Sequence, residues 1–227
     1  GPRRLRLAIE HLANVRGCSC YFIDLDPRWV KRLIAEKQFD QAKAYMVHVV
    51  EQATTIMKHR QVSALFTTPK LLEAIAEHLE EEGGSLYEAG IRGVFCGGTT
   101  MDPQYTRFLC EELLENKIGF MPTYGNTLMG LAKNKPLTAE DKYSITYYAP
   151  QPRALMRVLN PDTNAPVEYG EWGRVELTTL TKEFFMPRFL ERDEAIRREP
   201  IEQYPWDGVA EVRPFGALTK KIVEGVY

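Results

Sequence analysis

Two turn-forming stretches carry residue types suited to holding a nucleotide. Gly97-Gly98-Thr99-Thr100 follows an apolar run and offers backbone that a flat ligand can approach closely, with two hydroxyls behind it. Tyr124-Gly125-Asn126-Thr127 sets an aromatic face, a permissive glycine, an amide and a hydroxyl in a row, groups that suit a purine and a phosphate. Either stretch alone is also an ordinary turn sequence. Neither is a GxxxxGK[ST] phosphate loop or a GxGxxG dinucleotide fingerprint. With GxSxG absent and no Ser-His-Asp or Cys-His spacing, acyl hydrolysis has no support. Cys18, Cys20, Cys96 and Cys110 are too scattered for a disulfide framework, and His11, His48, His59 and His78 lack ligand spacing, so no metal site is expected.

The elements that position these turns follow from hydrophobic periodicity. Between Asp26 and Gln61, Trp29, Val30, Leu33 and Ile34, then Ala42, Tyr45, Met46, Val49 and Val50, predict two helices joined near Gln38. Val62 to Phe66 is a strand, and Leu71, Leu72, Ile75 and Leu79 mark a helix stopped at Gly83-Gly84. Ile91 to Cys96 is a second strand, Tyr105, Leu109, Leu113 and Leu114 a further helix, and Lys117 to Met121 a third strand ended by Pro122. Strands alternating with helices in this way predict an α/β fold built on a right-handed parallel βαβαβ unit, with ligands at the carboxyl ends of its strands. Tyr143 to Ala149, Ala154 to Leu159 and Gly173 to Thr179 predict a mainly antiparallel β region after it. The expected division is an α/β nucleotide-binding subdomain over 1–150 and a β-rich subdomain over 151–227. The Arg and Glu cluster from Glu191 to Glu199 is the nearest thing to a charge run.

Twenty-nine Lys and Arg against 31 Asp and Glu give a net charge of -2, without the basic excess of a nucleic-acid binder. No apolar run is long enough to span a membrane, and GPRRLRLAIE lacks the apolar stretch of a secretion signal, so a cytoplasmic protein is expected. The chain opens at Gly1-Pro2 without methionine and closes at Gly225-Val226-Tyr227, which predicts a piece of a longer protein.

Five stretches in order carry a family resemblance: TTPKLL at Thr67 to Leu72, the strand and GGTT at Val94 to Thr100, YGNT at Tyr124 to Thr127, VLNPDTNAPVEYGEWGRVELTTLT at Val158 to Thr181, and MPRFLERD at Met186 to Asp193. Over about residues 60 to 227 the chain resembles the adenylate-forming superfamily of acyl- and aryl-CoA ligases, specifically its phenylacetate-CoA ligase branch. The run MPRFLERDEAIR with YPWDGV and VEGVY is most similar to the adenylating proteins of phenazine antibiotic biosynthesis. The resemblance implies ATP and Mg²⁺, and attack of an aryl carboxylate on the α-phosphorus to give an acyl-AMP. Gly97, Gly98 and Thr99 would line the adenine pocket, Tyr124 and Gly125 would face the base, and Asn126 and Thr127 would reach adenine and the α-phosphate, Thr127 as the catalytic group. Asp193 stands where these enzymes hold both ribose hydroxyls, with Asp207 as the rival. Met101, Leu128, Met129 and Gly130 are placed to line an acyl pocket.

Two departures stand out. Leu128 occupies the place of a glutamate that binds Mg²⁺ in the family, and the usual phosphate loop and C-terminal domain with its lysine do not appear in this sequence. Partners implied are a small carboxylate and CoA, a carrier protein or a reductase, and the strands near Ala154 to Thr179 could supply a homodimer surface. A catalytically weak nucleotide-binding or carrier-interacting module, and an acyl-protein synthetase for fatty acids, are the alternatives.

Overall fold

The computed structural model describes residues 3–23 and 25–216, so the closing VEGVY lies outside the described residues. The chain divides into two units between Val94 and Phe95. The first opens with helix α1 (Arg3–Arg16), then α2 (Pro27–Ala35) and α3 (Phe39–His59). Asp26 caps α2 by accepting from the Arg28 N–H at 3.0 Å, and Pro27 takes the first helical position, where its missing N–H costs nothing. Strand β1 (Ala64–Thr67) leads into α4 (Pro69–Glu81), again started by proline and ended where Gly83 takes a φ of +80°. Val49, Val50, Ala53 and Met57 of α3 and Leu72, Ile75 and Leu79 of α4 are buried, as the spacing of apolar residues predicts.

Strand β2 (Gly93–Gly97) spans the division, followed by α5 (Pro103–Phe108) and β3 (Gly119–Thr123). These three strands form the predicted parallel sheet in the order β1-β2-β3. The helix begins at an Asp102 cap, with the Tyr105 N–H donating at 2.7 Å, and widens into a π-helical turn at Leu109–Leu113. Pro122 does not end the third strand. It sits inside β3, which is tolerated because β3 lies at the sheet edge and needs no ladder donor there.

Short strands β4 (Gly125–Asn126), β5 (Gly130–Leu131) and β6 (Lys133–Asn134) follow. Then come β7 (Thr146–Tyr148), β8 (Ala154–Leu159), β9 (Trp172–Leu180), β10 (Phe185–Arg198) and β11 (Gly208–Pro214). Six of them make one sheet in the order β6-β7-β11-β10-β9-β8, with antiparallel pairings throughout. Tyr148, Val158, Val175, Leu177, Ala195 and Val209 are buried on it. All of the Glu191 to Glu199 segment but Glu199 therefore lies in a 14-residue strand rather than in a solvated charge run. Neighbouring strands tie it in: Arg213 meets the Glu194 carboxylate at 2.7 Å, and Arg174 donates to the backbone carbonyl of Glu191 at 2.8 Å.

Candidate functional site

The candidate nucleotide and acyl-pocket residues, Gly97 to Asp207, all lie in the unit that begins at Phe95. Gly97 closes β2 beside the end of β3, so near that a side chain there would run into the Thr123 hydroxyl and carbonyl. Glycine is thus required by close approach, and Gly98 follows at a φ of +86°. Thr99 Oγ1 is buried without a hydrogen-bond partner, an uncommon state for a buried hydroxyl. Gly97→Ala forces a methyl group against backbone and is expected to cost about 1–3 kcal/mol, measured by urea unfolding.

The second turn is a small hairpin. Gly125 pairs with Leu131 and Asn126 with Gly130, and the Asn126 side-chain oxygen accepts from the Leu128 and Met129 N–H groups at 2.9 and 2.8 Å. A Cβ on Gly125 would collide with the Gly130 carbonyl, so this glycine too answers to close packing. Gly130 has a φ of +89°, and the space beside it is taken by the Arg153 side chain, whose Nε donates to the Met129 carbonyl at 3.1 Å. Met129 is wholly buried, Met101 buried, Leu128 half-buried and Thr127 exposed.

The hairpin meets β10 through two side-chain bonds. Tyr124 Oη donates to Asp193 Oδ2 at 3.0 Å, and Asn126 Nδ2 donates to Glu191 Oε1. Residues far apart in sequence thus form one cluster, with the Tyr147 ring tilted against Tyr124 at 5.5 Å between centroids. Glu191 and Asp193 both reach the hairpin, Glu191 through Asn126 and Asp193 through Tyr124. Burial pushes both carboxyls above their ordinary range, and burial with the neighbouring Asp193 and Glu191 charges pushes the Tyr124 hydroxyl well above its own.

Asp207 is placed elsewhere. It accepts from Arg197 Nε and Tyr169 Oη, both at 2.9 Å, at the end of the β10–β11 pair where Arg198 faces Gly208, away from Asp193 and its partner Pro214. Glu191, read in the sequence only as the start of a charge cluster, joins the site through Asn126.

A raised carboxyl stabilises the fold most when protonated, below the unfolded-state range near pH 4, and that contribution is lost as pH rises through the folded value. Glu191→Gln keeps an oxygen for Asn126 without the buried charge. It is expected to raise the melting temperature at pH 7, with the gain shrinking as pH approaches 4, by calorimetry.

Mg²⁺ keeps several waters and takes one or two carboxylates together with substrate phosphates. Here Leu128 brings an apolar group, Glu191 already accepts from Asn126 and, at 3.2 Å, from the Arg192 N–H, and Asp193 accepts from Tyr124. Among the described residues no group of three His, Cys, Asp or Glu is gathered for a metal. The hairpin itself, Tyr124 to Leu131, thus brings no carboxylate to a Mg²⁺.

Solved structures give the fold its context. 2-Hydroxyisobutyryl-CoA ligase in the postadenylation state with 2-HIB-AMP matches 74% of this chain at 15% identity and a TM-score of 0.57. Its open conformation with 2-HIB-AMP and CoA matches 73% at 15% identity and a TM-score of 0.56. The fold is that of part of the N-terminal domain of adenylate-forming enzymes. A looser likeness, with a TM-score of 0.49 at 14% identity over 74% of this chain and 33% of the other, is to MatB from Rhodopseudomonas palustris. The chain spans 36% of the length of the hydroxyisobutyryl-CoA ligase. No protein-family model matches the chain, and no curated protein does. No described helix is long and apolar enough to cross a membrane.

Proposed function

We propose that this chain is the nucleotide-binding part of an adenylate-forming enzyme that activates an aryl carboxylate, of the phenazine carboxylate kind, with ATP. The observation that carries this reading is the hydrogen bond from Tyr124 to Asp193, which joins an aromatic face to a carboxylate across 69 positions of sequence. A base stacked on the Tyr124 ring puts its ribose within reach of Asp193, whose ionised oxygens accept from hydroxyls. In this reading Gly97, closed against Thr123, and Gly98, at a φ of +86°, present backbone to the flat base, with Thr99 next along the turn. Thr127, exposed at the hairpin tip, is the group for the α-phosphate.

In this reading the carboxylate oxygen attacks the α-phosphorus, pyrophosphate leaves, and an acyl-AMP forms. The chain supplies positioning and hydrogen bonds, and Mg²⁺ enters as the counter-ion of ATP. Leu128, half-buried, favours an apolar acid, whereas Met101 and Met129 lie in the core and Arg153 fills the space beside Gly130; CoA, a carrier protein or a reductase takes the acyl group.

Leu128 favours a second reading, a nucleotide-binding or carrier-interacting module of little catalytic power. ATP–pyrophosphate exchange in the complete protein, screened over aromatic and fatty acids, separates the two. Exchange dependent on aromatic acids is expected. Exchange with fatty acids only would turn the assignment to an acyl-protein synthetase, and nucleotide binding with no exchange would select the module.

A further inference from the structure

Resting on the nucleotide-binding reading, we propose that Arg174 is the positioning residue that fixes Asp193 toward the ribose. Strand β10 leaves the ladder of β9 between Leu190, opposite Glu176, and Glu194, opposite Arg174: four steps on β10 run against two on β9. Glu191, Arg192 and Asp193 therefore form a bulge, a device that re-aims side chains beside functional sites. A bulge also strands backbone carbonyls, which must find other donors or leave the segment loose.

Arg174 supplies one of them. Its Nε donates to the Glu191 carbonyl at 2.8 Å, and its guanidinium lies over the Phe215 ring, 5.2 Å from the centroid. Phe215 in turn donates its N–H to the Arg192 carbonyl at 2.7 Å. One side chain thus ties the first carbonyl of the bulge directly and packs on the residue that ties the second. Asp193, next along the strand, is held where Tyr124 Oη reaches it at 3.0 Å. A planar guanidinium with several fixed donors suits both the hydrogen bond and the stacking.

The test compares binding of AMP and 2′-deoxy-AMP by calorimetric titration in the unmodified protein, Arg174→Met and Arg174→Lys, together with hydrogen exchange of the peptide spanning 189–195. Removing one charged hydrogen bond is worth about tenfold, so the unmodified protein is expected to prefer AMP by about that factor. Arg174→Met keeps the aliphatic stem but no donor: the ratio is expected to fall to about one and exchange in the peptide to quicken. Arg174→Lys keeps a donor and is expected to recover most of both. A parent-like ratio with parent-like exchange in Arg174→Met overturns the role, as does a lysine variant that loses the ratio as fully as methionine. Should Arg174→Met not fold, Arg174→Gln, whose shorter amide falls short of the carbonyl, replaces it with the same expected loss. Equal affinity of the unmodified protein for both nucleotides would overturn the contact of Asp193 with the ribose, and no binding of either would overturn the nucleotide reading. Quickened exchange in the variants would then still distinguish the hold of Arg174 on the bulge from that failure.

Discussion

Asp193→Ala is expected to weaken AMP binding by about 100-fold. An ionised carboxylate that accepts from both ribose hydroxyls makes two charged hydrogen bonds, and a loss of about 3 kcal/mol corresponds to that factor. Burial raises the Asp193 carboxyl, while the Tyr124 hydroxyl and Arg192 pull it down. Glu191, Tyr124 and Arg192 are the charged or titratable groups around it, with Arg174 bound to the Glu191 carbonyl. Only the ionised form accepts from both hydroxyls, so affinity should be full at neutral pH and fall as pH drops through a value above the ordinary aspartate range. Titrations of AMP from pH 7 to 4 measure this. Asp193→Asn, which accepts but carries no charge, should lose much of the affinity and all of that pH dependence. Asp207→Ala, by contrast, breaks the pair with Arg197 and should change stability without changing the AMP affinity.

The second large effect belongs to Tyr124. Stacking of a base on an aromatic ring is worth about 1–3 kcal/mol, so Tyr124→Ala is expected to cost about tenfold to 100-fold in AMP affinity. Tyr124→Phe keeps the face and removes only the bond to Asp193. Its loss should be smaller than that of alanine, and the carboxyl of Asp193, deprived of the hydroxyl that favours its charge, should titrate higher still. The pH at which AMP affinity falls by half should therefore move up in the phenylalanine variant, which calorimetric titration at several pH values detects. An unchanged midpoint would show that the hydroxyl does not act on Asp193.

What was legible in the sequence followed local periodicity. The helices α3 and α4 and the strand β8 show their apolar spacing openly, and Pro27, Pro69 and Pro103 sit at the helix starts where a missing N–H is harmless. The β10 strand was hidden because its alternation is broken twice, between Met186 and Phe189 and between Leu190 and Glu194, and because Arg188, with a φ of +53°, turns its side chain to the buried Glu176 at 3.0 Å. Polar residues paired across a sheet look like a solvated run when only the sequence is seen. The two turns were legible as glycine-bearing ligand approaches, but the reason for those glycines was not. Gly97 yields to Thr123 and Gly125 to Gly130, contacts that no local spacing encodes. Family resemblance put Tyr124 and Asp193 in one nucleotide site, but the bond between them is legible in neither segment. Glu191 and Arg174 escaped both routes, because their part depends on a bulge that exists only once β9 and β10 are paired.

The central claim is that the cluster of Tyr124 and Asp193 binds a nucleotide, and calorimetric titration of AMP into the unmodified protein tests it most directly. Saturable binding near one AMP per chain, displaced by ATP and lost in both Asp193→Ala and Tyr124→Ala, is the predicted result. Absence of binding, or binding that both variants retain in full, would contradict it.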